Sequence, residues 1–503
     1  YAVISLHSLL SSVALALSGT RAPRLVFGAL VPVLVMLCIV ALRPSLRLAW
    51  LLDAWHDANA TVIHGPESGD PCIDGECDGD AVCIEGYCSD TVRFLREGRN
   101  TTVKLITRDG TSYRLFNDGR PESGFSPGNP GFGSELALLG ALPSLLAATP
   151  ERAMAIGFGG GHTTTMMLAG PFQRVDVVEL EEAVIDAARI MHAAFDKPFP
   201  LDDERAHLTF DDARAQLLLA PAGTYDAVVS QPSHPWLAGS SALYTEEFFR
   251  EVQQSLRPGG VLVQWVNLFR MDIASLRSVV ATLLAVFEHV HCYVAEDSSF
   301  IMVAGDAPLA FSQATIDRLD ANRGLRDTLE AVELGTLVEL VSVVELDTEG
   351  SRRFATGAPV IHDDRPRLEF ALARLEFYSE LDQLALDQAL VGIPWLGRST
   401  LTALPRALQA DAFLFRAEQV RNRRRSLARV EQSLGEVPLT ASDHLMVEGT
   451  LAELRGDLHG ALRAYSASQN RDAADRVDYL RHVEGLDRDL LTHAQQRHVA
   501  PYN

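Results

Sequence analysis

Four glycines in five residues, Gly157-Phe158-Gly159-Gly160-Gly161, close an apolar run at Ala153–Ile156 and precede a helical segment. A glycine turn between a strand and a helix lets the backbone approach a ligand closely and aims amide groups at it. Acids fall at the ends of the next two apolar runs. Glu179 closes Val175–Val178, 22 residues after Gly157, where a carboxylate accepts ribose hydroxyls. Asp212 follows His207–Phe210, where one accepts the exocyclic amine of an adenine. Gly157, Gly159, Gly161, Glu179 and Asp212 thus describe a nucleoside pocket; without a ligand they read as turn residues and solvated strand ends. The turn lacks the third glycine of the dinucleotide fingerprint, because His162 stands there, which favours an S-adenosylmethionine-type ligand over NAD. Further on, Gln231-Pro232-Ser233-His234-Pro235-Trp236 offers His234 either as a base near neutral pH or as a loop histidine with no catalytic part. Trp236 and Tyr244 read as pocket walls.

These positions need a scaffold that brings strand ends to one edge. From residue 153 short apolar runs alternate with helical segments. Strands are expected at Ala153–Ile156, Val175–Val178, His207–Phe210, Asp226–Ser230 and Val261–Trp265, helices over Thr163–Leu168 and Glu246–Leu256, and a turn at Arg257-Pro258-Gly259-Gly260. Such alternation builds a parallel sheet with helices on both faces. The expected fold class is α/β, Rossmann-like, of the class I methyltransferase type.

The 503 residues are 47% apolar and 22% charged, with a net charge of −22. That composition excludes wholesale disorder, and the charge argues against a nucleic-acid partner, whose phosphates need clustered Lys and Arg. A cationic or neutral small ligand fits better. Residues 1–50 invert the balance, holding Arg21, Arg24, Arg43 and Arg47 and no acid. Two apolar stretches, Ala2–Ser18 and Leu25–Leu42, predict two transmembrane helices, the first reading alternatively as a signal sequence. A chain beginning at Tyr1 is expected to continue a longer membrane domain, with everything after residue 50 on one side of the membrane. Next comes a doubled cysteine pattern, Cys72-Ile-Asp-Gly-Glu-Cys77 and Cys83-Ile-Glu-Gly-Tyr-Cys88. It predicts two disulfides, with a four-thiolate zinc site and a calcium loop around Asp74, Glu76 and Asp78 as rivals. Cys38 and Cys292 read as buried thiols.

The runs Leu115–Glu122, Ser134-Glu135-Leu136, Val177-Val178-Glu179-Leu180, Asp211-Asp212-Ala213-Arg214, Tyr225–Ser230, Leu243–Phe249 and His362–Phe370 carry a resemblance. Together with the glycine turn, they resemble the spermidine synthase (polyamine aminopropyltransferase) family in the form fused to a bacterial membrane segment. The resemblance covers roughly residues 100–375. It implies aminopropyl transfer to a polyamine or related amine, with decarboxylated S-adenosylmethionine, or S-adenosylmethionine itself, as co-substrate. It further implies a small β-rich lobe over about 92–125 covering the pocket mouth, a place in the bacterial inner membrane, and room for a homodimer. In the family the loop after strand four carries an aspartate as proton acceptor and a second three residues on; Gln231 and His234 stand there in this chain. The family's amine-holding aspartate in the glycine turn is Gly160 here. Catalytic positions are therefore expected at Gln231 and His234, although Gln231 cannot accept a proton as a general base. Glu122, Glu135 and Tyr244 are expected to face the acceptor, and no metal is expected. Two alternatives stay open: a non-catalytic ligand-binding or sensing module on the same fold, and an S-adenosylmethionine-dependent methyltransferase.

The expected organisation is transmembrane helices over 1–50, a cysteine-rich loop over 51–91, the β-rich lobe and a connecting helix over 92–150, the Rossmann-like domain over 151–375, and a helical tail over 376–503. In the tail, Gly449, Gly456, Ala461 and Tyr465 have the spacing of one tetratricopeptide hairpin, read as partner-binding or as packing against the domain. Arg421, Arg423, Arg424 and Arg425 read as a solvated helix face or an anionic-lipid contact.

Overall fold

The computed structural model describes residues 82–485, apart from short internal stretches of which the longest is 372–382. The chain divides into two compact units, 1–68 and 69–503, and the described residues lie in the second.

Strands β1 (Val82–Ile84) and β2 (Tyr87–Ser89) pair as a hairpin that sets Cys83 opposite Cys88. Strands β3 (Thr91–Glu97), β4 (Thr102–Thr107), β5 (Tyr113–Asn117) and β6 (Arg120–Phe125) follow as an antiparallel lobe. Helix α1 (Ser134–Leu146) then buries every residue from Ala137 to Leu145, which places it inside the main core.

The central sheet begins with β7 (Arg152–Ile156) and α2 (His162–Ala169), then β8 (Arg174–Glu179) and α3 (Glu182–Ala194). It continues through β9 (Ala206–Phe210), α4 (Ala213–Leu219), β10 (Tyr225–Ser230) and α5 (Glu246–Ser255). Then come β11 (Leu256–Asn267), α6 (Ile273–Val286), β12 (His289–Tyr293), β13 (Ser299–Gly305) and β14 (Val344–Leu346). The eight strands lie in the order β14-β12-β13-β11-β10-β7-β8-β9. Strands β7 to β11 run parallel, and β12 to β14 add antiparallel pairs at the far edge. Parallel strands buried on both faces read as unbroken apolar runs, which is why β7, β8 and β10 are so apolar. After β9 the chain returns to place β10 on the other side of β7. Strand order thus reverses between β7 and β10, and ligands of open α/β sheets bind at that switch point, outside the carboxyl ends of the strands.

The lobe rests on α3: Val103, Leu105, Tyr113, Leu115 and Phe125 pack on Ala183, Val184, Ala187 and Met191. The expected turn at Arg257–Gly260 is absorbed into the start of β11, where Leu256 pairs with Tyr225 before the register shifts. After residue 383 the described chain is helical. Its first part covers the β14 edge: Trp395 Nε1 donates to Val344 O at 2.8 Å, and Arg416 and Arg429 pair with Glu345, all three buried. Farther on, helices Ala441–Leu454 and Leu458–Ala467 pack with Gly449 under the Tyr465 ring.

The expectation of two transmembrane helices, and with it a place in the bacterial inner membrane, is corrected. Among the described residues no helix is long and apolar enough to cross a membrane. A span needs about 20 apolar residues, whereas α1, an apolar helix of the described chain, is only 13 residues long in all and buries Ala137 to Leu145 in the core. The two apolar stretches of residues 1–50 lie outside the described residues.

Candidate active site

At the switch point a cavity of about 190 Å³ opens between the glycine turn, the end of β10 and the lobe. The turn is pressed against its neighbours. Gly157 has a φ of +85°, and a Cβ there would lie 3.0 Å from Gln231 O, so only glycine lets the turn and the β10 loop meet. Two backbone bonds carry the sheet past its last strand residues: Gly157 N–H donates to Val178 O at 2.9 Å and Gln231 N–H to Ile156 O at 3.1 Å. A Cβ on Gly160 would collide with Ser123 Oγ of β6. The lobe therefore occupies the space that a side chain at Gly160 would need.

Two carboxylates line the cavity, Glu122 from β6 and Glu135 from the first turn of α1. Glu122 lines the cavity and accepts a hydrogen bond from Ser233 Oγ at 2.8 Å. Burial pushes its carboxyl up to about 7, aided by the nearby Glu179 charge and opposed by the Ser233 bond and the Arg120 guanidinium. Glu179 is buried at the end of β8 and lies outside the cavity lining. Its oxygens accept from Phe158 N–H at 2.8 Å and Glu181 N–H at 2.9 Å, so it ties the glycine turn to the strand end. Burial raises its pKa and those amide bonds oppose the rise. Asp212 is exposed and caps α4, accepting from Ala215 N–H at 3.0 Å. Leu180, beside Glu179, is 51% exposed, an apolar surface at the same rim.

Gln231 lines the cavity, and its Oε1 accepts from Thr163 Oγ1 at 2.7 Å. Gly157 and Gly159 line it as well, whereas Gly161 packs against Phe158 and Pro200. His234 is not among the lining residues. It is buried and stacked on Trp236, with ring centroids 4.9 Å apart, and the Arg120 guanidinium lies 5.4 Å from the Trp236 centroid. Tyr244 is fully buried and donates to Trp265 O at 2.9 Å, standing behind the cavity wall, not in it. Ser123, Thr163, Ser233 and Trp265 escaped the sequence reading. Trp265 had a signal in its place near the end of β11, and Ser233 lay inside a run already singled out. His162, read only as a departure from a fingerprint, also lines the cavity, and burial lowers its pKa to about 4. Cys72 and Cys77 lie outside the described residues. Among the described residues no group of three or more His, Cys, Asp or Glu side chains could hold a metal ion.

Residues 135–297 match the spermine/spermidine synthase domain. Among curated relatives, putrescine N-methyltransferase 4 of Nicotiana tabacum is 29% identical over 194 residues, 37% of this chain and 45% of the relative. Spermidine synthase of Coffea arabica is 24% identical over 205 residues, 39% of this chain and 64% of the relative. The chain spans about half the length of the tobacco relatives it matches. A crystal structure of a probable spermidine synthase from Corynebacterium glutamicum aligns with 54% of this chain and 97% of its own, at 22% identity and a TM-score of 0.40. Residues 135–297 of this chain are thus similar to the spermine/spermidine synthase domain.

Proposed function

We propose that the cavity joins an adenosyl sulfonium donor to an aliphatic amine and moves an alkyl group from sulfur to nitrogen. Aminopropyl transfer from decarboxylated S-adenosylmethionine to a polyamine-type amine is the reading the spermidine synthase relatives favour. The observation that carries it is the meeting of Glu122, Glu135 and the glycine turn at one cavity beside the switch point. In water the sulfonium and the amine are both cations, and carboxylates lining the cavity attract both before the amine sheds the proton that frees its lone pair. About 190 Å³ is small beside the roughly 300–1,000 Å³ of drug-sized ligand sites. The cavity therefore suits the reacting end of the donor together with a short aliphatic chain. The nucleoside is assigned to the adjoining rim, with Asp212 and the exposed Leu180 on its adenine side. Glu179 accepts from the backbone amides of Phe158, Glu181 and Leu180, and what remains of a carboxylate's roughly four acceptor sites is assigned to a ribose hydroxyl.

Gly160 favours a second reading, methyl transfer from S-adenosylmethionine. A donor that keeps its own carboxylate meets no carboxylate in this turn, and the tobacco relatives are putrescine N-methyltransferases. Incubating the full chain with putrescine and each donor, followed by mass spectrometry, separates the two. Aminopropylated putrescine supports the first reading and N-methylputrescine the second. Methylthioadenosine binding without either product points to a non-catalytic binding module.

A further inference from the structure

Alkylation of an amine by a sulfonium leaves a proton to be removed, and the β10 loop offers no acid for it. Gln231 is an amide held by Thr163, Ser233 is a hydroxyl, and His234 is stacked behind the cavity on Trp236. The lobe supplies what the loop lacks. Glu122 lines the cavity beside Gln231, and Ser233 of that same loop donates to its Oε1 at 2.8 Å across 111 residues of sequence. The hydrogen bond fixes the carboxylate where the loop ends. Resting on the transfer reading above, we propose that Glu122 is the proton acceptor for the attacking amine, the catalytic carboxylate having been supplied by the lobe strand β6 in place of the β10 loop.

The step balances. The amine enters neutral, and its lone pair forms the N–C bond as the C–S bond breaks. The C–S electron pair stays on sulfur, which leaves as a neutral thioether. The new ammonium gives one N–H proton to a Glu122 oxygen, and the carboxylic acid returns that proton to solvent. The charged and titratable groups around Glu122 are Arg120 on its own strand, Glu179 from β8, Glu135 from α1 and His162 from α2. Glu122, raised to about 7, takes a proton readily at neutral pH, whereas His162, lowered to about 4, is a weak acceptor. Glu135 is left to hold the acceptor's cationic end.

The test uses the full chain and the variants Glu122→Gln, Glu122→Asp, and Glu122→Gln combined with Gln231→Asp. Methylthioadenosine binding by calorimetry and the pH profile of turnover with putrescine are measured for each. Glu122→Gln is expected to bind methylthioadenosine within about threefold of the parent and to lose about 100-fold or more in kcat. Glu122→Asp keeps part of the rate. The double variant recovers activity, with its acidic limb moved below the parent's limb near 7. Glu122→Gln that binds the ligand and keeps both rate and acidic limb overturns this assignment alone. A parent chain that binds methylthioadenosine but produces nothing counts against both the assignment and the transfer reading. One that binds no adenosyl ligand overturns the transfer reading and takes the assignment with it.

Discussion

A carboxyl group surrounded by protein keeps its proton to higher pH, and at Glu122 this has a stability consequence separate from catalysis. Its pKa rises from 4.5 to about 7 on folding. Between those values the folded chain holds a proton that the unfolded chain has lost. The group's favourable contribution is therefore full below the unfolded value and is lost as pH rises through about 7. Glu122→Gln removes that loss. Its melting temperature is expected above the parent's at pH 8, with the gap shrinking at pH 5; an equal gap at both contradicts the burial argument. Glu179 shifts in the same direction, its pKa raised by burial, but its oxygens also accept from the Phe158 and Glu181 amides. Glu179→Ala leaves the Phe158 and Glu181 N–H groups without that acceptor, and urea unfolding is expected to show a loss of about 1–3 kcal/mol. The sequence placed Glu179 at a strand end because an apolar run stops there. It could not show His234 turned onto Trp236, because that stacking is decided by packing within the fold, with Arg120 arriving from the lobe.

At the scale of elements, the glycine turn and the lobe act as one unit. Gly160→Ala pushes a methyl group into Ser123, which must turn its hydroxyl aside or shift with β6, the strand that carries Glu122. A cost of about 1–3 kcal/mol is expected, with at least about a tenfold fall in turnover, because small displacements of a catalytic group are costly. Stability close to the parent's with unchanged turnover contradicts the tight lobe–turn contact. Strands β7, β8 and β10 were legible as apolar runs bounded by turns, and β9 more faintly, since its edge position leaves Phe210 exposed. Strands β13 and β14 were not placed, and in β12 only Cys292 was singled out, as a buried thiol in a strand-like run. The β13 run is apolar without alternation, so periodicity cannot separate it from buried helix, while β12 and β14 are short and β14 pairs with a strand it does not directly follow in the chain. The lobe was legible only through family resemblance, because its inward face is matched to α3, which lies outside its own sequence.

Over the whole molecule, the segment after the domain closes the edge of the sheet. Glu345 of β14 is buried between Arg416 and Arg429, and Arg429 also donates to Ile393 O and Glu345 O. Breaking a buried ion network by removing one partner leaves charge uncompensated at about 3–5 kcal/mol. Glu345→Leu, which removes the carboxylate both guanidinium groups share, is therefore expected to lower stability by about that amount in chemical denaturation. A change below about 1 kcal/mol contradicts a buried ion network. Nothing local announced this, since Glu345 and Arg429 stand 84 residues apart and each reads alone as a surface charge. The Gly449–Tyr465 spacing was legible because it is local: a small residue lies under an aromatic ring one helix away.

Sulfur-to-nitrogen transfer at this cavity requires a donor nucleoside seated beside the glycine turn. Calorimetric titration of the full chain with methylthioadenosine, repeated on Glu179→Gln and Asp212→Asn, addresses that point. One saturable site is predicted, weakened at least about tenfold in each variant by the loss of a charge-assisted hydrogen bond. Absence of binding, or equal affinity in the parent and both variants, contradicts it.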